Sequence, residues 1–71
     1  MSFANSKIHR FIIHSVFEYS KRNNIPISET WNRFVRSGIV NFLTEHYEIQ
    51  HTLSMDQTLD DIEFLMTKNG S

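Results

Sequence analysis

The sequence predicts an all-α domain, a compact bundle of about four helices with the middle two short, and three observations carry that expectation. Apolar residues recur at steps of three and four in separate stretches. Pro26 and Gly38 fall between those stretches rather than inside them. No run alternates apolar and polar residues as a half-buried strand does.

Asn5 or Ser6 suits the cap of a first helix running to about Arg22. Ile8, Phe11, Ile12, Val16 and Tyr19 share one face, with Lys7, Arg10, His14, Glu18 and Lys21 on the other. Ile13 and Phe17 lie off that stripe, so the apolar arc is wider than one packing contact requires. Asn23-Asn24-Ile25-Pro26 ends the helix, because proline disfavours helical geometry at the preceding residue and donates no backbone hydrogen bond. Ser28 is the expected cap of a short second helix whose buried face is Trp31, Phe34 and Val35, with Arg33 and Arg36 outward. Gly38 ends it in the left-handed conformation that glycine takes without strain.

The third helix has Ile39, Phe42, Leu43 and Tyr47 as its apolar set, and the polar run from Tyr47 to Thr52 reads as a loop or fraying end. Ser54 and Gln57 have capping-box spacing and open a last helix. Met55, Leu59, Ile62, Leu65 and Met66 line one side of it, Asp56, Asp60, Asp61 and Glu63 decorate the rest, and Phe64 lies nearly opposite the stripe. The expected centre is Trp31, Phe34, Phe42 and Leu43 with Phe11, Ile12, Ile62 and Leu65. Residues 68–71 are expected to form an unstructured tail.

A chain of 71 residues suits one domain. Six phenylalanines, two tyrosines and Trp31 supply a bulky core, which argues against disorder. The absence of cysteine removes disulfides and thiolate zinc sites. No apolar run is long enough to span a membrane, and no secretory stretch opens the chain, so a cytoplasmic location is the expectation. The formal net charge of −1 hides an asymmetry, because residues 1–38 carry +4 and residues 39–71 carry −5. Either the two ends attract each other within one fold, or an acidic face docks on a basic partner.

Candidate chemistry is thin. His9 and His14 are five residues apart, as are His46 and His51. Five helical steps rotate two ligands apart by about 140°, whereas a helical metal pair wants three or four steps, so no metal is expected. Asp60 and Asp61 are adjacent and point in different directions. No serine or threonine sits in a nucleophile motif, and no glycine-rich phosphate loop exists. Neither an enzyme nor a cofactor is expected. The helix pair around Gly38 has a superficial helix-turn-helix look, but Asn41, Thr44, Glu45 and His46 are a poor reading set, and the net acidity also speaks against nucleic acid.

The run Ile25, Ile27, Ser28 and Trp31, then Phe34, Ser37-Gly38-Ile39, Phe42-Leu43, Tyr47 and His51-Thr52, and finally Asp61-Ile62 and Leu65, resembles a bacterial family of small helical proteins of uncharacterised function. The resemblance covers most of the chain, and its most distinctive piece is Tyr47 to Thr52. Family members often have tyrosine where Trp31 stands, and glutamine and glycine after the His-Thr pair, where this chain has Leu53-Ser54. Members are often encoded beside proteins that look like ADP-ribosyltransferase toxins. The resemblance therefore implies an antitoxin or accessory role and no catalytic residues.

The leading expectation is a protein-interaction module, antitoxin-like, that binds and neutralises a partner enzyme. The alternatives are a dimeric DNA-binding regulator and a structural or assembly subunit. Ile13, Phe17 and Phe64, with the acidic Asp56, Asp60 and Asp61, are the candidate partner-binding residues, and Tyr47, His51 and Thr52 form the candidate loop motif. His51 beside Thr52 is expected to stabilise its turn by hydrogen bonding. Ile13 and Phe17, four apart, make a patch. A homodimer through the first helix, another protein, or the last helix of the same chain is expected to cover it.

Overall fold

A computed structural model describes residues 6–68. The chain forms five helices: α1 (Ser6–Asn23), α2 (Ile27–Arg36), α3 (Ile39–Glu45), α4 (Tyr47–Gln50) and α5 (Met55–Lys68). Neighbouring helices pack on one another in chain order, and α5 returns to close on α1 and α3. Asn5 and residues 69–71 lie outside the described residues. The expected tail is shorter than anticipated at its start, since α5 continues through Lys68.

Each helix ends for a local reason. After α1, Asn24 takes a left-handed φ of 56° and the Ile25 amide donates back to the Ser20 carbonyl at 3.1 Å. This is the six-to-one bond of a helix closed by a left-handed residue. Pro26 then serves as the cap of α2, its carbonyl accepting from the amides of Glu29 and Thr30. The second helix therefore begins earlier than Ser28, because a proline carbonyl with fixed φ starts the helix without a side-chain cap. Gly38, at φ 80°, ends α2 and opens α3, its carbonyl accepting from the Phe42 amide at 2.9 Å.

The stretch expected to fray is helical instead. His46 bends the chain, and its carbonyl accepts from the amides of Ile49 and Gln50, which starts α4. Ser54 caps α5 as anticipated, its Oγ accepting from the Gln57 amide at 3.2 Å.

The buried core is Ile12, Val16 and Tyr19 from α1, Phe34 from α2, Ile39 and Leu43 from α3, and Leu59, Ile62 and Met66 from α5. Phe11, Phe42 and Leu65, expected at the centre, are half-buried and pack against this cluster. Trp31 is a correction: it is 44% exposed, and Val35 is exposed as well, while Phe34 is fully enclosed. The reason lies in α2's rotation. Its inward strip is Thr30, Phe34 and Ser37, set by a buried hydrogen bond of 2.6 Å from the Ser20 hydroxyl to the Thr30 hydroxyl. The rings of Tyr19 and Phe34 meet edge-on beside it, 5.4 Å apart at 72°.

Of the other buried hydroxyls, Ser15 donates to the Phe11 carbonyl and Ser37 to the Arg33 carbonyl, while Thr58 reaches across to the Gln50 carbonyl at 3.4 Å. Small polar residues therefore fill positions where helices approach closely, without leaving unpaired donors.

Two outcomes follow from this packing. Phe34→Ala should cost about 3–5 kcal/mol, whereas Trp31→Ala should cost well under half of that, with both read by chemical denaturation followed by circular dichroism. Comparable losses in the two variants would contradict the observed rotation of α2. Gly38→Ala should lose about 1–2 kcal/mol through backbone strain alone, since a Cβ there meets nothing within 4 Å. Gly38→Asn should lose less in the same assay, asparagine tolerating the left-handed region better.

Candidate functional site

The rotation of α2 that buries Thr30 and Phe34 turns Ile27, Trp31 and Val35 outward as a stripe at four-residue steps. On α1, Ile13 and Phe17 stand exposed beside it, at 53% and 50%. The last helix does not cover them, because α5 lies against the opposite arc of α1, where Tyr19 faces Glu63 and Arg22 pairs with Asp60 at 2.9 Å. The two stripes join. His9, Ile12, Ile13, Trp31, Val40 and Thr44 line one cavity of about 290 Å³, and Trp31 and Val35 together line the adjoining groove. Among the described residues, five of the seven exposed large hydrophobic side chains thus belong to the α1–α2 side. Exposed apolar groups gathered on one side of a small domain differ from the singly scattered exposure that is ordinary on surfaces.

The cavity's size decides what kind of ligand it suits. At about 290 Å³ it sits at the bottom of the ~300–1,000 Å³ range of small-molecule pockets and is open. That is room for a bulky side chain, and the adjoining groove along Trp31 and Val35 is larger, about 530 Å³. Its polar lining is His9 and Thr44, and the Thr44 hydroxyl is already given to the Val40 carbonyl at 2.8 Å.

The remaining sequence-predicted site residues are not brought together with Ile13 and Phe17. Phe64, 66% exposed, lines a separate cleft with Phe42, Gln50, Asp61 and Leu65. Asp60 is engaged by Arg22, Asp61 accepts from the Gln50 side-chain amide at 3.1 Å, and Asp56 is exposed in the first turn of α5. The acidic residues and the α1 patch are therefore two surfaces, not one. α5 packs across α1 with Asp60 toward Arg22 and Glu63 toward Tyr19. Periodicity along one helix carries no information about that crossing.

The loop motif is a brace. The Tyr47 ring meets Phe11 edge-on at 5.6 Å and stacks on His51 at 4.6 Å and 12°. His51 Nδ1 lies 2.7 Å from the Tyr47 carbonyl, which fixes Nδ1 as the protonated nitrogen in this contact. The Thr52 hydroxyl donates to the Ile49 carbonyl at 2.7 Å. Both bonds run to carbonyls of α4, at the end of that helix rather than in a loop. Gln50, which sequence reasoning passed over, is buried between α4 and α5, its Oε1 without a hydrogen-bond partner. The signal for it was present only as a polar residue inside the least periodic stretch.

Taken together, the geometry defines an all-α bundle that presents an aromatic and aliphatic face on its first two helices. The chain belongs to the family described as Protein of unknown function (DUF3791), whose pattern matches residues 10–69. No curated protein and no solved structure matches it.

One titration is shifted. Burial pushes the Tyr19 phenol above its ordinary value, and Glu63 pushes it the same way by its charge, while Arg33 opposes. Because the folded value lies above the unfolded one, this group's contribution to stability is intact below the ordinary value of 10.0 and is lost as pH rises beyond it through the folded value. Tyr19→Phe should therefore flatten the alkaline limb of the stability curve, read as denaturation midpoints from about pH 9 to about pH 12. An unchanged slope would show that Tyr19 does not govern that limb.

Proposed function

We propose that the chain is a binding module, not an enzyme, and that a protein partner docks on the α1–α2 face. The observation that carries this reading is the exposure of Trp31 at the junction of two apolar stripes. Tryptophan is among the residues most enriched in interface hot spots, and a centre free of charge is the usual composition of an interface core. Arg10, Lys21 and Arg36 stand at the edges of the face, while Ile13, Phe17, Ile27 and Val35 fill it.

The further step, an antitoxin-like role against an ADP-ribosyltransferase-like enzyme encoded nearby in bacteria, rests on the family resemblance and on no contact in this structure. A module of this size acts on an enzyme by covering it. Cytoplasmic operation follows from the same proposal, since the partner would be met where both are made.

The test is inhibition of the enzyme encoded beside the gene. The unaltered chain should bind it and suppress ADP-ribosyl transfer. Trp31→Glu should keep its helical content and weaken binding by about 2 kcal/mol or more, roughly thirty-fold in Kd. A folded Trp31→Glu variant that binds and inhibits as the parent does would remove the α1–α2 face from the interaction.

A further inference from the structure

We infer that the occupant of the α1–α2 face is an amphipathic helix whose apolar stripe is flanked by acidic side chains, and not a second copy of this chain. The inference rests on the docking proposal above and gives the partner's chemistry.

Shape comes first. Ile27, Trp31 and Val35 span nine residues of α2, eight steps or about 12 Å at 1.5 Å per residue. Ile13 and Phe17 form a second row on α1, and the 290 Å³ cavity opens where Ile13 and Trp31 meet, with Val40 and Thr44 of α3 on its far side. Two ridges with a trough between them receive a helix, whose anchors at i, i+3 or i+4, and i+7 cover about the same 10–12 Å. An extended segment lacks what it needs here. Among the described residues there is no strand whose edge would pair its backbone N–H and C=O groups, and these would be buried against side chains without partners.

Charge comes second. Arg10 precedes Ile13 by three residues, Lys21 follows Phe17 by four, and Arg36 lines the groove with Trp31 and Val35. All three cations are exposed and take part in no ion pair of the described residues. The nearby acids are already committed. Glu29, which lines the same groove, is held by Arg33, and Glu18 lies 3.6 Å from His14. The rim therefore presents unopposed positive charge around an apolar centre.

A second copy fits this rim badly. In a two-fold pairing of the face with itself, neither protomer offers an unpaired acid to the rim cations of the other, since Glu29 is held by Arg33 and Glu18 lies beside His14. Pairing the face with the acidic α5 of a second copy is the remaining homomeric arrangement. It is head-to-tail, and α5 offers Phe64 as its one strongly exposed apolar group rather than a stripe. Its Asp60 and Asp61 are also engaged, by Arg22 and Gln50.

Trp31 is the only tryptophan in the chain, so its emission reports the face directly. The probes are two tryptophan-free helical peptides of about eighteen residues, long enough to hold helix in water. Both carry the same leucine stripe, flanked in one by glutamate and in the other by lysine, and each is titrated into the full chain. The glutamate peptide should shift Trp31 emission to shorter wavelength and bind at least ten-fold more tightly than the lysine peptide. That preference should shrink as salt is raised and reverse in the Arg10→Glu, Lys21→Glu double variant, whose substituted side chains lie outside the core. Equal binding by both peptides would overturn the inference while leaving the docking proposal standing. A blue shift that grows with protein concentration alone, with dimer mass in sedimentation, would overturn it in favour of a second copy. No Trp31 response to either peptide would also overturn it, and the docking proposal falls with it only if Trp31→Glu still inhibits the enzyme.

Discussion

Where α1 crosses α2, the hydroxyls of Ser20 and Thr30 share a buried hydrogen bond while the Tyr19 and Phe34 rings meet edge to face. This seam sets the rotation of α2, and most of the surface follows from it. Turning α2 to bury Trp31 would pull Thr30 away from Ser20 and leave two hydroxyls enclosed without partners. Each such orphan costs about 1–3 kcal/mol, comparable to the gain from burying what Trp31 still exposes. The exposed tryptophan is thus a consequence of satisfied polar groups inside. It is not a flaw in the packing.

The attachment of α5 is a different kind of contact. Its ion pair with α1, Arg22 to Asp60, joins side chains in water and adds at most about 1 kcal/mol. Leu59, Ile62 and Met66 hold the helix in place, and the charges orient it. The opposite signs of the two halves are therefore partly spent inside the fold, at Arg22 and Asp60. The cations they leave without an ion pair among the described residues include Arg10, Lys21 and Arg36, which give the outer face its character.

Much of this fold was legible in the sequence. The stripes of α1 and α5, the break at Asn24 and Pro26, the left-handed Gly38 and the Ser54 cap all express local rules, and each stands where those rules put it. Ile13 and Phe17 were recognisable as off-stripe because a long helix makes its own periodicity plain. Two readings went astray for physical reasons. In a helix of ten residues such as α2, the apolar arc is wider than the strip the core uses, and the choice of strip was made by a serine on another helix. In α4, the local bonds of His51 and Thr52 accompany the packing of the Tyr47 ring on Phe11, a contact across 36 residues that no local pattern encodes. The candidate site was half legible for the same reason: Ile13 and Phe17 showed themselves, while their continuation through Trp31 and Val35 depended on the seam.

The order in which the helices meet has a kinetic meaning. The first four helices build on sequence neighbours, and the nascent chain can assemble them as it lengthens. Ile12, Val16 and Leu43 have no roof until Leu59 and Ile62 arrive on the last helix. During synthesis the bundle is therefore an open half-core until α5 has emerged, since that helix follows the other four in the chain. The completed fold is gained in a single late step, and the polypeptide is at its most vulnerable just before that step.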